Sequence, residues 1–182
     1  MKVILIITFS ALFLVLSSCD SVRKGDHKIK KDYSTKFCKK GKKLWAKSFL
    51  GQKAPEFSVE GWISSKPDFK DKFILIDFWG VYCPQCKKAI PELNEMSKKY
   101  KDKLVVVGVA ENSKEIVMSM KTPKIEYYSA YDTKEVLKKQ YEVEGIPHLV
   151  IVAPNNKIVW EGFPFSSEDK LDLKKVGLIV NQ

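Results

Sequence analysis

The run Phe73-Ile74-Leu75-Ile76-Asp77-Phe78-Trp79, apolar but for one aspartate, leads directly into Cys83-Pro84-Gln85-Cys86 and then into a helical pattern. A strand apolar on both faces belongs in a sheet covered on both sides, and Leu104-Val105-Val106-Val107-Gly108-Val109 is a second such strand. Between them the spacing predicts a helix over about 84–100, with Ile90, Leu93, Met96, Ser97 and Tyr100 on one face and Pro91 as a kink. Strand, helix and strand in this order commit the chain to an α/β architecture.

The rest of the pattern fills out that architecture. Residues 44–72 lead in, with Phe57-Ser58-Val59 alternating as a strand does. Ser113 is a candidate cap for a short helix to Met120, and residues 124–129 read as a strand. Thr133 is a candidate cap for a helix through Lys139. Strands at 148–152 and 157–161 are joined by the turn Pro154-Asn155-Asn156, and Ser167 with Glu168 and Asp169 opens a last helix. The sheet is therefore expected to be mixed. With 182 residues, 45% of them hydrophobic and 12% aromatic, the chain has one ordinary core to bury.

The cysteine pair carries chemistry because of where it stands. A thiol attacks a disulfide as its thiolate, and a helix N-terminus supplies unpaired N–H groups and the positive end of the dipole to stabilise that anion. Cys83 is expected at that end. Pro84 suits the first helical position, where no hydrogen bond is lost, and Cys86 falls close by to resolve a mixed disulfide on Cys83. Two other readings remain open at this point: half of a zinc site, which would need a second ligand pair that the sequence does not supply, and a static disulfide, which would close almost no loop.

The amino-terminal part differs in kind. Met1-Lys2 followed by an apolar stretch from Val3 to Leu16 reads as a secretory signal, shorter than the roughly 20 residues that span a bilayer. Leu16-Ser17-Ser18-Cys19 resembles the lipobox of bacterial lipoproteins, which implies cleavage before Cys19 and a lipid on that cysteine. The net charge of +10 is concentrated nearby: residues 20–53 hold twelve Lys or Arg against three Asp or Glu, whereas residues 54–182 balance. The expected organisation is a signal at 1–18, a basic flexible tether at 19–45 and a folded domain at 46–182. The tether either lies on anionic headgroups or is a solvated spacer. A neutral folded part argues against nucleic acid as a partner. Cys38, left over, is expected as a free thiol in the tether.

Ala54-Pro55-Glu56-Phe57, the segment from Asp77 through Cys86, Pro91, Gly145-Ile146-Pro147 and Gly162 together closely resemble the thioredoxin-like superfamily, in particular the exported, membrane-anchored TlpA/ResA-type thiol–disulfide oxidoreductases. The resemblance implies a thioredoxin-like fold with a helix-plus-strand insertion at about 110–130. It implies Cys83 as nucleophile, Cys86 as resolving cysteine, Pro147 as a cis-proline facing the disulfide and Ile146 as a main-chain docking point for substrate. Asp77 matches a buried carboxylate that exchanges protons with the resolving thiol; Ala89 stands where ResA-type members often carry an acid. Trp79 joins the implied substrate surface, and so do two departures from the family pattern, Tyr82 where tryptophan is usual and His148 where threonine is common; His148 is either an imidazolium that favours the Cys83 thiolate or a neutral histidine at a strand start.

The activity so implied is exchange of the Cys83–Cys86 pair with disulfides of exported proteins. The direction expected is reduction, fed by a membrane thiol–disulfide transporter, with no cofactor or metal beyond the pair itself and the protein facing the periplasm. Pro84 and His148 keep an oxidase or isomerase open. Peroxide reduction would need Pro and Thr where Ile76 and Gly80 stand, and a metal chaperone would use Cys83, Cys86 and His148.

Overall fold

The computed structural model describes residues 31–182. The signal segment, Cys19 and the first part of the tether lie outside the described residues. Strands β1 (Gly61–Trp62), β2 (Phe73–Trp79), β3 (Leu104–Ala110), β4 (Tyr128–Tyr131), β5 (His148–Val152) and β6 (Ile158–Gly162) form one sheet in the order β1-β4-β3-β2-β5-β6. Helices α1 (Pro84–Lys99), α2 (Lys114–Ser119), α3 (Val136–Gln140) and α4 (Leu173–Val180) connect and cover it. Strand β2 pairs in parallel with β3, while β5 runs antiparallel to both β2 and β6, so the sheet is mixed as the sequence predicts.

The two apolar strands sit at the centre because both of their faces are wanted. On one face Leu75, Trp79, Leu104 and Val106 pack with Ile90, Leu93 and Met96 of α1 and with Val176 and Ile179 of α4. On the other, Ile76, Phe78, Val105 and Val107 pack with Leu137 and Tyr141. Pro91 lies within α1 without ending it. Strands β2 and β5 fall where the sequence puts them.

Four local assignments move. The strand expected at 124–129 lies at Tyr128–Tyr131, since the Asn94 side chain takes the preceding residues out of the sheet: its amide donates to the Lys124 carbonyl at 2.9 Å and its oxygen accepts from the Glu126 N–H at 2.8 Å. The helix expected from Thr133 starts at Val136, with Asp132 rather than Thr133 accepting from the Leu137 N–H at 2.8 Å. The last helix starts at Leu173 under an Asp172 cap, and the only strand in the lead-in is β1, beyond Val59.

The largest departure concerns residues 31–45, read from sequence as tether. Here they pack on the domain. Cys38 is buried within the core cluster, with Tyr33 and Phe37 against it. The Lys42 side chain is 5% exposed, pairs with Asp169, and its ammonium lies 4.2 Å from the centre of the Trp160 ring. Lys175 makes a second close ion pair with the same carboxylate, and the Lys39 N–H donates to it at 2.9 Å. The long stem of a lysine buries readily while its ammonium finds a carboxylate and an aromatic face, and a count of charge along the sequence does not register that. Cys38 is accordingly no exposed thiol: burial, first of all, pushes its pKa up.

Candidate active site

Strand β2 ends at Trp79, and the chain turns through Gly80, Val81 and Tyr82 into α1. The Cys83 N–H donates to the Gly80 carbonyl at 3.1 Å, and the Val81 N–H donates to the Asn112 side chain at 2.7 Å. Cys83 is the N-cap of α1, in extended conformation, and its sulfur accepts from the Cys86 N–H at 3.1 Å. Pro84 follows at the helix start, and the first turn holds no acidic residue to offset the dipole. Cys83 and Cys86 form a disulfide with Cα atoms 5.2 Å apart. Cys86 is fully buried whereas Cys83 is only partly so, and an incoming sulfur therefore meets Cys83 first.

The loop before β5 forms the other side. The Ile146–Pro147 peptide is cis, and the Ile146 carbonyl oxygen lies 3.9 Å from the Cys83 sulfur. A second cis bond, Thr122–Pro123, lies in the insertion and has no counterpart in the sequence reading. Tyr82 is 77% exposed beside the disulfide.

Two expected surface residues are not on the surface. Trp79 is 1% exposed and faces the core, so it has no open face to offer a substrate. His148 is 3% exposed, and burial together with the charge of Lys42 pulls its pKa down to about 4. It is neutral at physiological pH and supplies no imidazolium to Cys83. Among the described residues no three His, Cys, Asp or Glu side chains cluster as a metal-ligand set, so His148 does not complete one with the two cysteines.

Asp77 lies in the middle of β2 with no exposure at all, and burial pushes its pKa up to about 7. Its partner is a residue the sequence reading passes over. The Tyr127 hydroxyl donates to Asp77 Oδ2 at 3.2 Å, and Oδ1 has no partner among the described residues. Gly108, paired with Asp77 across β2 and β3, makes room for this contact: a Cβ there would stand 2.9 Å from the Tyr127 ring and 3.0 Å from Trp79 Nε1. Glu111, at the end of β3, is also absent from the sequence reading. It packs against Gly80 and pairs with Lys138 at 2.9 Å. A lone acid directly after an apolar strand is the signal that could have found it.

A family model described as thioredoxin-like matches residues 71–158, from the turn before β2 to the start of β6. The chain belongs to the thioredoxin-like superfamily. Among its relatives, a thiol-disulfide oxidoreductase ResA from Bacillus thuringiensis is 28% identical over 135 residues, covering 70% of this chain and 78% of the relative. A solved structure of a candidate DsbE thiol:disulfide interchange protein from Chlorobium tepidum superposes with a TM-score of 0.63 at 26% identity, over 73% of this chain and 98% of the other. A thiol:disulfide interchange protein from Bacteroides sp. superposes with a TM-score of 0.60 at 27% identity, over 73% and 91%. This thioredoxin-like protein is a thiol–disulfide oxidoreductase of the ResA type, and its redox centre is its own cysteine pair rather than an added cofactor.

Proposed function

We propose that the protein is a reductase of disulfides in exported proteins, anchored to a bacterial membrane through a lipid on Cys19 and recharged by a membrane thiol–disulfide transporter. One observation carries the order of events: the Cys83 sulfur is reachable at the helix N-terminus while Cys86 is sealed beneath it. In the reducing cycle the Cys83 thiolate attacks a substrate disulfide and expels one substrate thiolate, leaving a mixed disulfide. Cys86, once deprotonated, attacks Cys83, releases the second substrate thiolate and closes the protein's own disulfide, so two electrons pass to the substrate. Asp77, with a pKa near 7, is the group suited to take up the Cys86 proton. Ile146 offers its backbone to an extended substrate in the manner of an added strand.

Neutral His148 favours this direction over the oxidase reading, because the cation that would have made the thiolate more stable is missing at neutral pH. The reduction potential of the pair tests it, measured on the full-length chain in mild detergent against dithiothreitol and glutathione buffers. A value near about −270 mV fits a reductase, and one approaching about −120 mV reverses the direction. Cys83→Ser removes the nucleophile and is expected to abolish insulin-disulfide reduction; retention of full activity would end every redox reading of the site.

A further inference from the structure

Beside the loop that carries the cis-proline lies an open cavity of about 360 Å3. Leu44 and Trp45 form one wall, Phe163 and Phe165 the other, and Pro147 and His148 the floor, with Lys43 and Glu168 among its polar lining. Both walls come from segments outside the family match at 71–158. They are also the segments joined by a buried ion pair: Lys42 lies two residues before the first wall, and Asp169, its partner, four residues after the second. A buried, doubly paired carboxylate is a costly device for holding two surface segments together, and none of the redox chemistry uses it.

The first wall is fixed to the catalytic loop as well. Glu144 and Gly145 donate their N–H groups to the Trp45 carbonyl at 2.8 and 3.1 Å, and Ala46 bridges to Val143. Gly145 is required here, since a Cβ on it would stand 2.4 Å from the Trp45 ring. Trp45 nevertheless remains 62% exposed and Phe163 36% exposed. Two aromatic rings held rigidly and left in solvent mark a recognition surface rather than a core.

We infer that this cavity is a specificity subsite for an apolar, preferably aromatic, side chain of the substrate polypeptide, near the cysteine that reacts with Cys83. The inference rests on the redox reading of Cys83. Any polypeptide whose disulfide reaches that sulfur must pass the 145–147 loop, because the Ile146 carbonyl lies 3.9 Å from it. The cavity begins at the next residue, Pro147. At roughly 3.3 Å per residue of extended chain, a side chain about two or three positions from the reacting cysteine reaches it. The volume lies at the low end of the roughly 300–1,000 Å3 of ligand sites, which suits one large side chain and not a cofactor.

Short peptides with a central cysteine, held as a mixed disulfide with thionitrobenzoate, test this on the pre-reduced full-length chain in detergent. Phenylalanine, alanine or aspartate is placed in turn at each nearby position on either side. Each turnover oxidises the Cys83–Cys86 dithiol to the disulfide and reduces the peptide disulfide to two thiols, read by the coloured leaving group. One phenylalanine position is expected to raise the single-turnover second-order rate constant about tenfold over alanine, the gain from burying part of a ring. Trp45→Ala should bring that ratio towards one, and Phe163→Ser should do the same by way of the opposite wall. Equal rates for all peptides, or a ratio that survives both variants, would overturn the subsite. A dimer that depends on Trp45, seen by sedimentation without any peptide preference, would assign the face to a second copy and overturn it too. No reduction of any peptide would instead strike at the redox reading itself.

Discussion

Asp77 and Asp169 are both buried, yet they are treated in opposite ways. Asp77, in the central strand β2, has a single neutral donor in Tyr127 and no cation, and burial raises its pKa to about 7. Asp169, just past the edge strand β6, is also pushed up by burial, but hydrogen bonds from Lys175, Lys42 and the Lys39 N–H outweigh this and hold it down to about 2. Left unpaired, a buried carboxyl becomes a group that exchanges a proton near neutrality; surrounded by donors and cations, it becomes a fixed charge and a fastener. The fold leaves one carboxyl to titrate near neutrality in its centre and fixes another as a charge at its edge.

The widest difference should appear on removing the fastener. Asp169→Ala leaves Lys42 buried with only the Trp160 face, and loss of one partner of such a pair costs about 3–5 kcal/mol unless the segment lifts away. Denaturant unfolding reads the first outcome and reactivity of Cys38 towards a thiol reagent reads the second, since Cys38 belongs to the same segment and is buried with it. Unchanged stability with Cys38 still protected would mean that Lys42 and Asp169 fasten nothing.

Asp77→Asn should act with the opposite sign. Because the folded pKa is raised from 3.8 to about 7, the protonated form is favoured by folding, and stability is lost as pH rises through that window. The asparagine variant carries no charge and should be more stable than wild type above pH ~7, on the order of 2–4 kcal/mol, and about equal to it near pH ~4. Asp169 works on the other limb: its depressed pKa contributes stability above about 4 that disappears as pH falls towards 2. Thermal melts across pH for wild type and both variants separate the two limbs. An Asp77→Asn curve parallel to wild type from pH ~4 to 8 would remove Asp77 as the neutral-range titrating group.

The titrating half of this contrast was legible in the chain and the constructional half was not. Asp77 stands as a lone charge in an apolar strand, and Cys83-Pro84 is a helix start written in adjacent residues, so local pattern sufficed. The lysines of residues 31–45 carry no local sign that Lys42 alone will turn inward, because its partner lies 127 positions away. Ser167-Glu168-Asp169 reads as a helix cap by composition, but Asp169 is claimed by Lys42 and Lys175, and the cap passes to Asp172. Trp79 and His148 adjoin the motif residues in sequence, but adjacency in sequence does not set exposure, because burial depends on what covers a residue. Tyr127 escaped for the same reason as the shifted strand β4: Asn94, one helix away, decides how the chain runs from Lys124 to Glu126.

Tyr127 gives the finest test of the comparison. Its hydroxyl bond lowers the pKa of Asp77 against the larger effect of burial. Tyr127→Phe removes that donor while keeping the ring against Gly108, so the packing argument predicts a small stability change of about 1 kcal/mol. Ionising Asp77 then becomes harder, and less of the base is available for Cys86 at pH 7. The step that closes the Cys83–Cys86 disulfide should slow at pH 7, and its pH profile should move to the alkaline side, recovering at higher pH. Stopped-flow oxidation of the reduced protein across pH measures this step, because Trp79, buried at the end of β2 four residues before Cys83, reports the change by fluorescence. A profile that stays in place while the melting temperature falls would leave Tyr127 a packing residue only. A shift in that profile at near-constant stability would make it the donor that sets how readily the unpaired aspartate gives up its proton.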